Sequence, residues 1–271
     1  MVPTPIAPLY LMLWKHYLFT ASKTLLLGGV ENLRLPITKD LTTKLSKIRI
    51  INIIRKAKFI IFQLENNLIL IIHLGMSGRL KLFEKDFNGE KHDHFQLNLS
   101  NGKIIIYNDP RRFGSIHLTD DFNKHKLIKN LGVEPLSKNL NKEYLFNLCK
   151  VSNLDIKKLI MDQKKIVGVG NIYASESLFL AGVKPNRSCK KISLNDCSKI
   201  VKAIKKVLRY AIKMGGTTLK DFYSADGSEG YFSLELKVYG RNNEKCKHCD
   251  SEIKKIIIGQ RATFYCEVCQ Y

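Results

Sequence analysis

The stretch CKHCDSEIKKIIIGQRATFYCEVC, residues 246–269, constrains the chain more than any other. Cys246-x2-Cys249 and Cys266-x2-Cys269 stand sixteen residues apart, the spacing of a four-thiolate zinc site built on a hairpin. Four sulfurs at about 2.3 Å close a tetrahedron around the metal, so no position is left for a substrate and one zinc ion here is structural. The competing reading, two disulfides, belongs to an oxidising compartment. The seven cysteines are an odd number. The opening PLYLMLWKHYLF is broken by Lys15 and His16, and it has no basic leader and no small-residue cleavage site. It is too short and too charged to cross a bilayer. A reducing cytoplasm is therefore expected, with Cys149, Cys189 and Cys197 as free thiols. Between the cysteine pairs, IIIGQRATFYC reads as two strands turning near Gly259, a rigid basic hairpin suited to phosphate contact.

Charge points the same way. Lys and Arg number 45 against 24 Asp and Glu, a net charge of +21. That imbalance calls for a polyanionic partner. Nucleic acid is preferred over a membrane surface, because no basic amphipathic helix with an aromatic face stands out. At 271 residues and 45% apolar content, the chain is globular, with one large domain or two modest ones.

Residues 48–118 are strand-like. IRIINIIRKAKFIIFQLENNLILIIHL reads as two apolar runs joined at Glu65-Asn66-Asn67, and HFQLNLSNGKIIIYND alternates about a hairpin at Asn101-Gly102. An antiparallel sandwich or barrel follows. After Asp120 the period becomes helical in KEYLFNLCKV, LDIKKLIMDQ and GNIYASESLFLAGV. SLNDCSKIVKAIKKVLRYAIKMGG is the clearest helix, with Ser193 and Asp196 placed for a capping box and Gly215-Gly216 to end it. SADGSEG then reads as a loop.

Three short motifs carry chemistry in this setting. HLGMSGRL, residues 73–80, is a glycine-rich bend in which Met76 is by default a core residue. DPRRFG, residues 109–114, is in a generic protein a solvated turn. Beside a strongly basic surface it is also a wedge, whose phenylalanine and guanidinium groups fill the gap left by an extruded base. GVGNIY, residues 168–173, opens a helix with glycines, and backbone N–H groups at such a start bind phosphate. A plain helix connection is the alternative.

KHDH, DPRRFG, MDQKKIVGVGNIYASESLF, GGTTLKDF, GYF, VYGR and the cysteine tail with QRATFYC occur in this order. From about residue 48 onward the chain resembles the bacterial formamidopyrimidine-DNA glycosylases, relatives of endonuclease VIII. The resemblance implies an α+β multidomain fold: an N-terminal antiparallel β-sandwich, a helix–two-turn–helix domain and a C-terminal zinc-finger hairpin. The divisions expected are residues 1–120, with 1–31 atypical, then 121–225 and 226–271. It implies a monomer, bacterial and cytoplasmic, that binds double-stranded DNA containing oxidised purines or abasic sites. The resemblance further implies excision of oxidised purines, chiefly 8-oxoguanine and formamidopyrimidines, followed by strand cleavage through β- and δ-elimination.

Residue by residue, Lys58 matches the proton donor of β-elimination, and Arg261 matches the arginine assigned to δ-elimination. His92 and Arg111 match DNA contacts. Met76, Arg111 and Phe113 match the trio that fills the space of the flipped nucleotide. Lys157 and Asn171 match phosphate binders, and Glu176 an acidic residue of the same helix. Thr217 to Tyr231 match the loop that closes over the flipped base.

The beginning of the chain departs from that pattern. The resemblance implies a proline nucleophile at the mature N-terminus followed by a glutamate, whereas the sequence reads Met1-Val2-Pro3-Thr4 with no acidic residue before Glu31. Three explanations stand: a shifted or miscalled start, a degraded gene that encodes a DNA binder, or a substitute amine. Val2 exposed by loss of Met1 offers an α-amine with a pKa of about 7.7–8.0. Lys58 offers another if burial or neighbouring cations lower its pKa.

Overall fold

The structure, a computed structural model, describes residues 20–27, 33, 35–38, 40–84, 87, 89–214 and 236–271. These form two compact units, one up to Lys129 and one comprising residues 130–214 with 236–271. The expectations for Val2, Pro3, Thr4, Glu31, Gly215-Gly216 and the loop from Thr217 to Tyr231 lie outside the described residues.

The first unit is a β-sandwich. β1 (Ala21–Leu26), β6 (Asp93–Leu99), β7 (Ile104–Asn108) and β5 (Arg79–Phe83) form one antiparallel sheet in the order β1-β6-β7-β5. β2 (Ile50–Lys56), β3 (Phe59–Leu64), β4 (Ile69–His73) and β8 (Ser115–Thr119) form the other in sequential order. Period-two alternation sends Ile60, Phe62 and Leu64 of β3 and Phe95, Leu97 and Leu99 of β6 into a shared core. A short helix, α1 (Leu41–Leu45), adds Leu41 and Leu45 to it.

One expectation is corrected. The run IRIINIIRKAKFIIFQL is two strands, not one, because the chain reverses between Lys56 and Phe59. Ala57 takes a φ of 55°, which supplies the tight turn. Ala57 and Lys58 carry no glycine or asparagine, so the break was silent in the residue pattern. Asn101-Gly102 does form the β6–β7 hairpin turn, with Gly102 at a φ of 86°.

The second unit is helical. Asn141 caps α2 (Lys142–Lys150) by accepting the Tyr144 N–H. α3 (Ile156–Met161) follows, and α4 (Asn171–Ala181) starts after Gly170 and stops at Gly182 in the left-handed region. α5 (Leu194–Lys213) opens with the Ser193–Asp196 capping box that the sequence signals. Its Ile200, Ile204, Val207 and Ala211 recur on one face and pack in the same core as Ile172 and Leu178 of α4.

The cysteine hairpin, β9 (Ile253–Ile258) and β10 (Arg261–Cys266), belongs to this unit. It turns through Gly259 and Gln260, both at positive φ, as a two-residue turn requires. Its Phe264 meets Tyr239 edge-on, with ring centroids 5.2 Å apart.

Candidate nucleic-acid interface

In the second unit, α3, α4 and β10 bring three of the predicted residues together. Lys157 on α3 is buried, and its Nζ donates to the Thr263 hydroxyl at 2.7 Å. Asn171, the first residue of α4, donates from Nδ2 to the Ala262 carbonyl at 3.0 Å. Arg261 is exposed at the start of β10. A depression of about 180 Å³ is lined by Lys157, Lys158, Met161, Gly259 and Arg261. Burial, helped by the Arg261 cation, brings the Lys157 ammonium down to about 7. Lys157 is thus held inside the wall of the depression, a placement the residue pattern does not mark. No sequence signal marked Thr263 as its partner.

Glu176, on the buried side of α4, has a structural task. Its carboxylate accepts the backbone N–H groups of Lys237, Val238 and Tyr239 at 2.9, 3.0 and 2.9 Å. That clamp fixes the entry of the chain into the cysteine hairpin. Arg241 closes the next turn by donating to the Lys237 and Lys245 carbonyls.

The four sulfurs of Cys246, Cys249, Cys266 and Cys269 lie within 4.8 Å of one another. Cys249 and Cys266 are 3.4 Å apart, and Cys246 and Cys269 are 3.9 Å apart. A tetrahedron with metal–sulfur bonds of about 2.3 Å has edges of about 3.8 Å, so the donor set fits zinc. The Cys269 N–H, 3.4 Å from the Cys266 sulfur, is one of the donors that neutralise thiolate charge in such sites. Cys149, Cys189 and Cys197 are buried free thiols in the helical core, as expected.

In the first unit, Lys58 occupies the β2–β3 turn beside His73, the strand partner of Phe59. Burial first, then the Lys58 charge, press His73 down to about 4. The ring is neutral at physiological pH, and its Nδ1 accepts the Gly75 N–H at 3.1 Å.

Met76, Arg111 and Phe113 sit on two loops that touch. A Cβ placed on Gly75 would come within 2.5 Å of the Gly114 nitrogen, so only glycine allows the approach. Met76 is half-buried against the sandwich core. Phe113 is 43% exposed, and the Arg111 guanidinium stands 5.1 Å from its ring centroid. His92 is held at a φ of 73° just before β6. Behind these residues lies Asp109, fully buried, whose carboxylate accepts Ser77 Oγ at 2.6 Å, Gly114 N at 2.8 Å and the Tyr107 hydroxyl at 3.1 Å. Burial and the Asp109 charge keep the Tyr107 phenol protonated. Asp109 and Ser77 were missed from sequence. The available signal was an aspartate opening a turn five residues before a glycine, which is an acceptor placed for local N–H groups.

Comparison with known proteins agrees with this arrangement. Residues 27–116 match the formamidopyrimidine-DNA glycosylase N-terminal domain, and residues 131–223 match the formamidopyrimidine-DNA glycosylase H2TH domain. Residues 243–270 match the zinc finger found in FPG and IleRS. The formamidopyrimidine-DNA glycosylase of Enterobacter sp. (strain 638) is 47% identical over 249 residues, 91% of this chain and 92% of the relative. The chain belongs to the formamidopyrimidine-DNA glycosylase family.

The protein of the same name from Escherichia coli (strain 55989 / EAEC) is 46% identical over the same shares of both chains. Among solved structures, Lactococcus lactis Fpg in complex with abasic-site DNA superposes with a TM-score of 0.89 at 30% identity, covering 98% of both chains. A variant of that enzyme with Fapy-dG DNA gives the same values. The β-sandwich, helical and zinc-hairpin architecture is that of the family. Among the described residues, no helix is long and apolar enough to cross a membrane.

Proposed function

We propose that this protein is a base-excision repair glycosylase that acts on oxidised purines, 8-oxoguanine and formamidopyrimidines, in double-stranded DNA, and that it cleaves the resulting abasic site by β- and δ-elimination. The observation that carries the reading is the cluster of Lys157 and Asn171 against Arg261 and its neighbours on the cysteine hairpin, in a chain of this family. It sets the buried lysine of a largely basic depression, which Asp162 also lines, beside an exposed arginine of the kind the elimination chemistry needs.

The roles divide by chemistry. Met76, Arg111 and Phe113 fill the gap when the damaged nucleotide leaves the stack, and His92 contacts the backbone. An amine attacks C1′ of the sugar, the C1′–N bond to the base breaks as the base takes up a proton, and the C1′–O4′ bond then opens to leave an imine. The imine makes the C2′ proton acidic, and β-elimination expels the 3′ phosphate with Lys58 as proton donor. Arg261, a fixed cation, neutralises the second phosphate as it departs. Lys157 and Asn171 hold phosphates, and Glu176 supports the helix that carries Asn171. One zinc ion on the four cysteines holds the hairpin rigid.

In this reading residues 1–120 are the catalytic domain, 121–225 the helix–two-turn–helix domain, and 226–271 the base-closing loop with the zinc finger. The protein works as a cytoplasmic, nucleoid-associated monomer.

Borohydride trapping on an 8-oxoguanine duplex and on an abasic duplex tests the proposal. Covalent complex with both supports glycosylase and lyase together, and peptide mapping of the complex identifies the attacking amine. Complex with the abasic duplex alone would limit the protein to a lyase. Binding without trapping on either would make it a damage-binding protein and overturn the enzymatic reading.

A further inference from the structure

The side chains proposed to enter the duplex come from two separate loops, yet each neighbours a group bonded to Asp109 or to its partner Ser77. Ser77 follows Met76, and its hydroxyl donates to Asp109 Oδ1 at 2.6 Å. Gly114 follows Phe113, and its N–H donates to Asp109 Oδ2 at 2.8 Å. The Arg111 N–H donates to the same Ser77 hydroxyl at 3.1 Å. The Asp109 N–H donates to the His92 carbonyl at 3.0 Å.

Asp109 itself has no exposed surface, so it touches no DNA from where it stands. A buried carboxylate that loses a donor is left with an unmet demand in a low-dielectric setting, so this hub is satisfied as a whole or not at all. The loops also have no slack. A Cβ on Gly114 would overlap the Tyr107 hydroxyl at 1.7 Å, and one on Gly75 would meet the Gly114 nitrogen at 2.5 Å.

We propose that Asp109 is a positioning residue that joins the Met76 loop and the Arg111–Phe113 loop into one preformed wedge. Insertion then orders one rigid body rather than several independent side chains, which removes entropy cost at the moment the nucleotide leaves the stack. The inference rests on the function proposed above. It predicts that the hub sets the preference for damaged over undamaged DNA and leaves general phosphate affinity alone, since that affinity comes from other cations.

The test uses the full chain and a duplex with a tetrahydrofuran abasic analogue opposite 2-aminopurine, beside an undamaged duplex of the same sequence. Ser77→Ala removes the link between the loops while retaining the Gly114 and Tyr107 bonds, and Asp109→Asn removes the charge. Wild type should prefer the abasic duplex and change the 2-aminopurine fluorescence as the wedge enters. Ser77→Ala, with an unchanged circular dichroism spectrum, should lose that preference at least fivefold and most of the fluorescence change. Its affinity for the undamaged duplex should stay within twofold.

A folded Ser77→Ala protein with full preference and full fluorescence change overturns the inference. So does an equal loss of affinity for both duplexes, which a merely structural role would give. Asp109→Asn should follow Ser77→Ala with a larger loss, and should it fail to fold, Ser77→Ala decides alone. A wild-type protein that does not prefer the abasic duplex sinks the functional reading itself, and this inference with it.

Discussion

Lys157 and Thr263 are bound through Nζ and Oγ1 at 2.7 Å, which ties α3 to the cysteine hairpin by a lysine with almost no exposed surface. The hydroxyl of Thr263 in turn donates a hydrogen bond to the Arg261 carbonyl at 3.1 Å. A lysine so placed is a conditional cation, because burial favours its neutral form until an anion arrives.

The first prediction is a pH dependence. The folded value of about 7 lies below the ordinary 10.5, so between these limits the unfolded chain holds a proton that the folded chain lacks. This group therefore makes the free protein more stable as pH rises from 7 towards 10.5. DNA binding runs the other way. A phosphate at the depression stabilises the charged form, so binding takes up a proton above pH 7. Affinity for a short duplex at fixed ionic strength should weaken by up to about tenfold per pH unit from 7 to 9. Lys157→Met should bind weakly with a flattened profile. Fluorescence anisotropy across that range checks it, and an unchanged slope in the variant would discard the assignment.

The second concerns Glu176. Truncation to Ala strands three backbone N–H groups at Lys237, Val238 and Tyr239. The expected loss is about 3 kcal/mol, of the order reported for unmet buried donors. Urea unfolding measures it. Hydrogen exchange at Val238 should accelerate far more than exchange in β6, which lies in the other unit. Uniform acceleration would show that the clamp is not local.

Much of this was legible in the residues, and the exceptions have physical causes. The capping box at Ser193 and Asp196, the Asn101-Gly102 turn and the cysteine spacing are local codes, in which a few adjacent residues dictate geometry. The Ala57-Lys58 turn was missed because its residues have no turn preference and tertiary strand pairing imposes it. The burial of Lys157 was silent in the residue pattern because it depends on β10, more than 100 residues away in sequence. The Asp109 hub joins Ser77, Tyr107 and Gly114 across two loops and a strand, and no single window of sequence contains it.

The third prediction tests the metal centre. Cys249→Ser weakens the thiolate set, so the purified variant should carry well under one zinc per chain and bind DNA poorly. The helices of the second unit should survive, because Leu145, Ile160, Val169 and Ile204 pack in their own cluster. Elemental analysis, far-ultraviolet circular dichroism and anisotropy supply the three readings. Metal-free protein with wild-type affinity would remove the zinc from the binding role.

The fourth isolates Arg261. It begins β10 with an exposed side chain, and its backbone partner across the hairpin is Ile258. Exposed substitutions of this kind change stability by about 0.5 kcal/mol or less, so an effect on products reports chemistry rather than folding. Arg261→Ala should still convert an abasic duplex to the β-elimination product. The δ product should fall by roughly tenfold or more, since a cation beside a departing phosphate contributes on the scale of a few kcal/mol. Gel analysis of 3′ ends over time separates the two. An unaltered ratio of δ to β product would assign the second elimination to another residue and leave Arg261 as a phosphate contact alone.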